Sequence, residues 1–258
     1  MDLALEGLRV MVSAGAAGIG LAIGRAFVRE GARVSVCDVD AAALAALAKS
    51  DPSLHAASCD VSRRDEVARW FDQAQAHLGG LDCLVNNAGI AGPTGKVDVI
   101  DPDAWDRCIA IDLTGQFNCV RMAVPLLRAS PNASILNVSS LAGRLGFALR
   151  TPYAAAKWGV IGLMRSLAVE LGPDNIRVNA LLPGIVEGER QRRVLNAKAQ
   201  ALGQSFSEVE RSAFSGTSIK QYVTAGQLAD YAVFLASERA ATVSGQALSV
   251  CGDTNLLS

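Results

Sequence analysis

The sequence predicts an α/β fold: a doubly wound, seven-stranded, mainly parallel sheet with helices on both faces. Three observations carry this expectation. Seven short β-like runs alternate with longer segments of helical periodicity, the order produced when parallel strands are joined by right-handed crossovers. Strand runs such as Val10-Met11-Val12 are continuously apolar, which fits a sheet buried on both faces. The first run also leads directly into a glycine-rich turn, Ala14-Gly15-Ala16-Ala17-Gly18-Ile19-Gly20, that opens a helix.

The β-like runs are 8–13, 33–38, 55–60, 83–86, 134–138, 177–182 and 247–250. Helical periodicity covers 19–30, 41–49, 63–78, 104–128, 153–171 and 227–236. Gly31 follows the first helix where a C-terminal glycine cap belongs, and Gly79-Gly80 closes the third. Asp101-Pro102-Asp103 is a start signal for the fourth, and Pro125 inside that pattern is expected to kink it or end it early. The 258 residues read as one domain with one atypical segment, 187–218. That stretch is polar, carries Arg190, Arg192, Arg193 and Lys198, and is expected to form a mobile helical insertion over the carboxyl edge of the sheet, where ligands bind in such folds.

Composition narrows the classes. With 50% hydrophobic residues the chain is not intrinsically disordered. Its 24 Lys+Arg against 25 Asp+Glu give no reason to expect nucleic acid as a partner. Apolar stretches are interrupted well short of the roughly 20 residues a membrane span needs, and the start shows no basic leader, so no membrane partner is expected and a cytoplasmic enzyme is the default. The six cysteines form no Cys-x-x-Cys pair and only two histidines are present. Reduced thiols and no metal site are expected.

The glycine-rich turn has the strand–turn–helix context that lets backbone N–H groups and the positive helix end hold a pyrophosphate. Its spacing is Gly15-x-x-Gly18-x-Gly20, and on the motif alone a purely structural turn is as good a reading. Asp38 ends the second run, eighteen residues past Gly20. A carboxylate there can accept from the adenosine ribose hydroxyls and would repel a 2′-phosphate, favouring NAD over NADP; the bland alternative is a cap for the following helix.

Tyr153-Ala-Ala-Ala-Lys157 sets a phenol and an ammonium one helical turn apart on one face, and Ser140 lies thirteen residues earlier at a strand end. A phenol near its ordinary value of about 10 is a poor base at neutral pH, and a neighbouring ammonium stabilises its anion. Tyr153 can then take a proton from an alcohol, or return one to an alkoxide, while Ser140 donates to the substrate oxygen. With three Tyr and five Lys in the chain, a chance Tyr-x-x-x-Lys is expected roughly 0.06 times.

These segments together resemble the short-chain dehydrogenase/reductase superfamily in its compact single-domain branch, over nearly the whole chain. Ser13–Gly20 is similar to the family's Thr-Gly-x-x-x-Gly-x-Gly, Asp60-Val61 to its adenine-contacting pair, and Asn86-Asn87-Ala88-Gly89 to its Asn-Asn-Ala-Gly. Asn137-Val138-Ser139-Ser140 with Tyr153 and Lys157 resembles the active site, and Arg177–Ala180 followed by Pro183-Gly184 resembles the strand that reaches the nicotinamide. The resemblance implies a Rossmann-like sheet and an NAD-dependent oxidoreductase acting on secondary alcohols or ketones. Ser13, Gly15, Ala17, Gly18, Ile19, Gly20, Asp38, Asp60, Val61, Asn87, Ala88, Gly89, Tyr153, Lys157, Pro183, Gly184 and Ile185 would line the cofactor. It also implies a homodimer or homotetramer built on the two long helices.

Three positions depart from the family pattern. Ala14 stands at the first glycine of the turn, where a positive φ would strain it. Asp112 stands where the family usually has the Asn of a catalytic tetrad, so a retained proton relay with altered pH dependence is expected. Gly188 stands where a nicotinamide-contacting Thr often follows.

For the substrate, Arg144, Arg150, Glu187 and Arg193 join Ser140 and Tyr153 as candidates, because Arg favours planar anions. A small polar hydroxy compound such as a sugar acid is expected. A solvated face, for instance a Glu189–Arg193 pair, is the competing reading of the arginines, and a neutral ketone or 3-oxoacyl compound is the alternative substrate. Two other readings of the chain, an NAD-binding regulator and a dehalogenase-like lyase, require loss of Tyr, Lys or the turn, none of which is seen. Leu256-Leu257 is expected to pack at a second interface or to fray.

Overall fold

The computed structural model describes residues 3–257. Seven strands are present: β1 (Arg9–Ser13), β2 (Arg33–Asp38), β3 (Leu54–Ser58), β4 (Cys83–Asn86), β5 (Ser134–Val138), β6 (Arg177–Pro183) and β7 (Ala247–Val250). They form one sheet in the order β3-β2-β1-β4-β5-β6-β7, and every pairing is parallel. The fold is Rossmann-like. The chain reverses direction across the sheet between β1 and β4, so the loops leaving these two strands diverge and open a crevice at their carboxyl ends.

The strand pleat sorts side chains onto two faces. Val10 and Val12 point to one side with Ile23 and Phe27 of α1 (Gly18–Arg29), while Met11 points to the other with Trp70 and Phe71 from the helix between β3 and β4. Helix α2 (Ala41–Ser50) starts on Asp40, whose carboxylate accepts from the N–H groups of Ala42 and Ala43. Helix α3 (Arg64–Leu78) ends on Gly79 at φ +77°. Five of the six cysteines are buried and all six are free thiols. Among the described residues no helix is long and apolar enough to cross a membrane.

The expected fourth helix is not continuous. It divides into α4 (Pro102–Ile109), a five-residue π-turn at Ala110–Thr114, and α5 (Gly115–Leu127). Apolar periodicity cannot report this, because one widened turn leaves the flanking residues helical. Asp101 caps the start as expected, accepting from Asp103 N–H. Pro125 neither breaks nor visibly shortens α5, which runs two residues past it.

Helix α6 (Thr151–Leu171) begins two residues earlier than its pattern, and β3 lies one to two residues earlier than predicted. The atypical segment contains α7 (Glu189–Leu202) and α8 (Phe206–Ser215), the latter opened by a Ser205/Glu208 capping box. Helix α9 (Ala225–Ala236) carries a Thr224/Gln227 capping box. The C-terminal tail pairs with its own chain: Thr254 bridges Thr217, and Leu257 bridges Phe147. Leu257 therefore does not fray, and Leu256 is the exposed member of the pair.

Candidate active site

The loops leaving β1, β4, β5 and β6 carry Ser13–Gly20, Asn87–Gly89, Ser140 and Gly184–Ile185 at the carboxyl edge of the sheet. After β1, Ala14 lies at φ +51°, so the expected backbone strain is present. Asn87 ties this turn to β4, donating from Nδ2 to the carbonyls of Ser13 and Ala14 at 3.0 Å each. Ser13 Oγ accepts in return from the N–H groups of Asn87 and Ala88. Gly20 is required by this closeness, because a Cβ there would overlap the Ala14 carbonyl and sit 2.5 Å from Asn87 Nδ2.

Helix α1 begins without a side-chain cap on Ala17 and without an acidic residue in its first turn. A Cβ on Gly18 would meet nothing within 4 Å, so the turn opens outward. These features suit an anion at the helix N-terminus. At the end of β2, Asp38 accepts from Ala16 N–H (3.2 Å) and from the N–H groups of Val39 and Asp40. Asp60 bonds Ser62, and the Val61 carbonyl accepts from Asn118, which fixes the loop on the far side of the turn.

Ser140 begins a short turn after β5, and its Oγ accepts from Ala142 N–H at 3.2 Å. Its own proton is thereby left to donate elsewhere. Tyr153 and Lys157 lie on one face of α6, with Lys157 Nζ 5.6 Å from the centre of the Tyr153 ring. Lys157 is 3% exposed, donates to the Val138 carbonyl at 3.2 Å and forms an ion pair with Asp112 Oδ2 at 3.3 Å. An ammonium has three donors, which leaves donor capacity for a ligand. Asp112 is fully buried, and its Oδ1 accepts from Ile90 N–H at 2.6 Å. The π-turn carries this carboxylate, so the departure at 112 forms a buried ion pair with the predicted catalytic lysine. Gly89 lies against both partners: a Cβ would be 3.0 Å from Asp112 Oδ2 and 3.1 Å from Lys157 Nζ. Cys108 is nearby, but burial pushes its thiol up to about 12, which removes it as a nucleophile.

Pro183 ends β6, Gly184 N–H bonds the Val250 carbonyl, and the Ile185 carbonyl accepts from Val223 N–H. Gly188 precedes α7 at φ +131°, ψ 176°, a region open essentially to glycine alone, which accounts for the missing Thr.

The charged candidates separate. Arg144 donates to Ser249 Oγ and the Ala247 carbonyl, so its guanidinium is committed to β7. Glu187 and Arg193 are exposed at the start of α7, and Glu189 lies near Arg192 at 4.0 Å rather than near Arg193. Arg150 is 2% exposed beside Tyr153, with its guanidinium carbon 5.1 Å from the ring centre. Lys198 was not among the expected substrate residues, and Arg190 was one of the arginines expected to open the segment 187–218. Lys198 is buried, with Nζ 4.6 Å from the Phe147 ring centre, and Arg190 donates to the Gly89 carbonyl at 2.8 Å. The signal in the sequence was a lysine on the apolar face of α7, three residues from Leu195 and next to Ala199.

Sheet order, the glycine-rich turn and the Tyr153–Lys157 pair on α6 fit an oxidoreductase of the nicotinamide-dependent class. A family model described as "Enoyl-(Acyl carrier protein) reductase" matches residues 14–253. Among relatives, an uncharacterized oxidoreductase of Bacillus subtilis, YxjF, is 36% identical over 247 residues, covering 94% of this chain and 96% of that protein. A probable galactose dehydrogenase of Rhizobium meliloti, GalD, is 35% identical over 248 residues, covering 94% and 93%. The crystal structure of actinorhodin polyketide ketoreductase with NADPH superposes with a TM-score of 0.89 at 29% identity, covering 94% and 95%. The chain belongs to the short-chain dehydrogenase/reductase family.

Proposed function

We propose that this protein is an NAD-dependent dehydrogenase that interconverts a secondary alcohol and its ketone. The observation that carries the reading is Lys157, buried between Asp112 and the Val138 carbonyl with its ammonium facing the Tyr153 ring. The residues present fit a dinucleotide. The uncapped start of α1 would hold the pyrophosphate, Asp38 the adenosine ribose, Asp60 and Val61 the adenine side, and Ala88, Gly89 and Ile185 the nicotinamide half.

When bound, the nicotinamide supplies the site that accepts or returns hydride. The chain's own residues handle the proton and the oxygen. Ser140 Oγ donates to the substrate oxygen, and Tyr153 takes the hydroxyl proton in oxidation or delivers it in reduction. Lys157 keeps positive charge beside the phenol, and Asp112 holds Lys157 in place. The segment 187–218, with α7 tied to Gly89 by Arg190, acts as a lid over the substrate. A carboxylate at 38 supports NAD rather than NADP, since a 2′-phosphate would meet like charge.

The relative named a galactose dehydrogenase supports a small polar hydroxy substrate, a sugar or sugar acid. A second reading, reduction of a neutral or 3-oxoacyl ketone by the same residues, is favoured by the ketoreductase neighbour. Exposed Phe117 on α5 and Trp158 on α6 support a homodimer or homotetramer through these helices.

The test is a panel of alcohols offered with NAD and followed at the NADH absorbance band. Tyr153→Phe is expected to lower kcat by about 10²–10⁴-fold while NAD still quenches protein fluorescence. Undiminished turnover in this variant refutes the reading.

A further inference from the structure

The segment over the crevice is a small body of its own. Leu195 and Ala199 of α7 and Val209 of α8 form a hydrophobic cluster apart from the two that flank the sheet. So small a cluster does not fix two helices, and the position of the lid is set by what it is tied to. At its near end, Val186 bridges Val223, with Glu187 N–H donating to the Val223 carbonyl and Val223 N–H to that of Ile185. Arg190 adds a bond from the first turn of α7 to Gly89.

The far end is held from beyond β7. Residues 252–255 run antiparallel to 216–219, the stretch that leaves α8. Ser218 N–H donates to the Asp253 carbonyl (3.1 Å), Ile219 N–H to that of Gly252 (2.9 Å) and Asn255 N–H to that of Gly216 (2.8 Å). Ser218 Oγ also donates to Asp253 Oδ2 at 2.6 Å. The backbone is shaped for this ribbon. Gly252 and Asp253 lie in the left-handed region, at φ +64° and +57°, and the second is a strained position for a residue with a Cβ, of the kind kept where surrounding contacts enforce it. A Cβ on Gly252 would sit 2.7 Å from the Ile219 carbonyl, and one on Gly216 2.7 Å from that of Leu256.

Two residues further on, the same segment reaches the active-site loop. Leu257 bridges Phe147 and packs against the cluster that contains Leu141. The Phe147 ring centre lies 5.4 Å from the guanidinium carbon of Arg150, three residues before Tyr153, and 4.6 Å from Lys198 Nζ on α7. One short stretch therefore holds the base of the lid with one half and the loop between Ser140 and Tyr153 with the other.

We propose that residues 252–257 are a strap that positions the lid against the Phe147 loop, so that substrate capture depends on residues that touch neither substrate nor cofactor. The proposal rests on the dehydrogenase reading for what the lid covers. The strap fixes the far end of the lid as the Val186–Val223 bridge fixes the near end, and closure leaves only α7 and α8 to settle. Its members are positioning residues. They lower KM by keeping the closed arrangement populated and leave the proton transfer at Tyr153 unchanged.

Two measurements on the whole chain test this. Asn255→Pro deletes the N–H that bonds Gly216, whereas Asn255→Ala keeps it. Gly216→Ala, at φ −83°, carries no backbone strain and pushes against Leu256. The first readout is trypsin cleavage after the arginines of α7, followed by mass spectrometry, with no turnover required. Such cleavage tracks the population of the opened form. Asn255→Pro and Gly216→Ala are expected to speed cleavage within 189–215 at least about fivefold with other sites at the wild-type rate, and Asn255→Ala to match wild type.

The second readout is steady-state kinetics with NAD on the panel alcohol of highest kcat/KM. In both disruptive variants KM for the alcohol is expected to rise about 5- to 20-fold, with kcat changed less than about threefold and NAD still quenching fluorescence as in wild type. Wild-type cleavage in both variants, faster cleavage at every site alike, or an Asn255→Ala that loosens the lid as much as Asn255→Pro overturns the strap. So does a fall in kcat with KM unchanged. If Asn255→Pro does not fold, Gly216→Ala carries both measurements. Turnover with cleavage and KM unchanged overturns the strap and leaves the dehydrogenase reading standing. Selective loosening of the lid without NAD-linked turnover of any alcohol does the reverse.

Discussion

Replacing Asp112 with alanine is expected to destabilise this protein by about 4–6 kcal/mol. The magnitude follows from what the carboxylate touches. Its Oδ2 lies 3.3 Å from Lys157 Nζ, a Coulomb attraction of about 5 kcal/mol at an effective dielectric of 20. Removing one member of a buried pair costs roughly 3–5 kcal/mol, because the other charge stays buried and uncompensated. The same change leaves Ile90 N–H without its acceptor, which adds about 1–3 kcal/mol; the two losses share one group and do not sum fully. For a chain of this size that corresponds to a fall in Tm of about 8–12 °C. Asp112→Asn, which keeps an acceptor for Ile90 but not the charge, should fall between wild type and alanine. Chemical and thermal unfolding of Asp112→Ala, Lys157→Met and the double variant measure the coupling directly, expected at about 2–4 kcal/mol. A loss below 1 kcal/mol for Asp112→Ala, or an equal loss with Lys157 already replaced, refutes the ion pair as the reason Asp112 is buried.

Asp38→Ala should lower the ratio of kcat/KM for NAD over NADP by about tenfold or more, since the carboxylate is the repulsive element in that choice; an unchanged ratio in steady-state assays contradicts the ribose role. Ala14→Gly should raise stability by about 0.5–1 kcal/mol, the relief of a left-handed alanine less the added freedom of the unfolded glycine, and a lower Tm would show that the turn tolerates φ +51° without strain. Burial beside Arg150 pushes the Lys198 ammonium down to about 8 from 10.5. Below pH 8 the native state carries a charge it disfavours, and between 8 and 10.5 the unfolded chain binds more protons, so native stability gains from this group as pH rises. Lys198→Met should therefore be more stable than wild type at neutral pH, with the gap closing across that window in urea unfolding; a constant gap contradicts it.

Much of the architecture was legible because it is written in local pattern. Continuous apolar runs mark strands buried on two faces, and a glycine turn between strand and helix marks the crevice. Tyr153 and Lys157 meet because 3.6 residues make a turn. The loss of continuity at Ala110–Thr114 was not legible, since a π-turn changes the partner of each N–H without altering which residues are apolar. Nor was the division among the arginines. Arg144 and Arg150 lie six residues apart on one loop, yet one is spent on β7 and the other is buried against Tyr153.

What the chain determined unaided is therefore the order and type of its elements and the chemistry on each single face. Those depend on neighbours a few residues away, and the side-chain periods of strand and helix carry them. What only tertiary packing decided is the company each charge keeps: Asp112 with Lys157, and Lys198 brought by α7 to the same Phe147 ring as Arg150. Burial and pairing are properties of segments far apart in sequence, and the cost of a charge is set only once water has been excluded from around it.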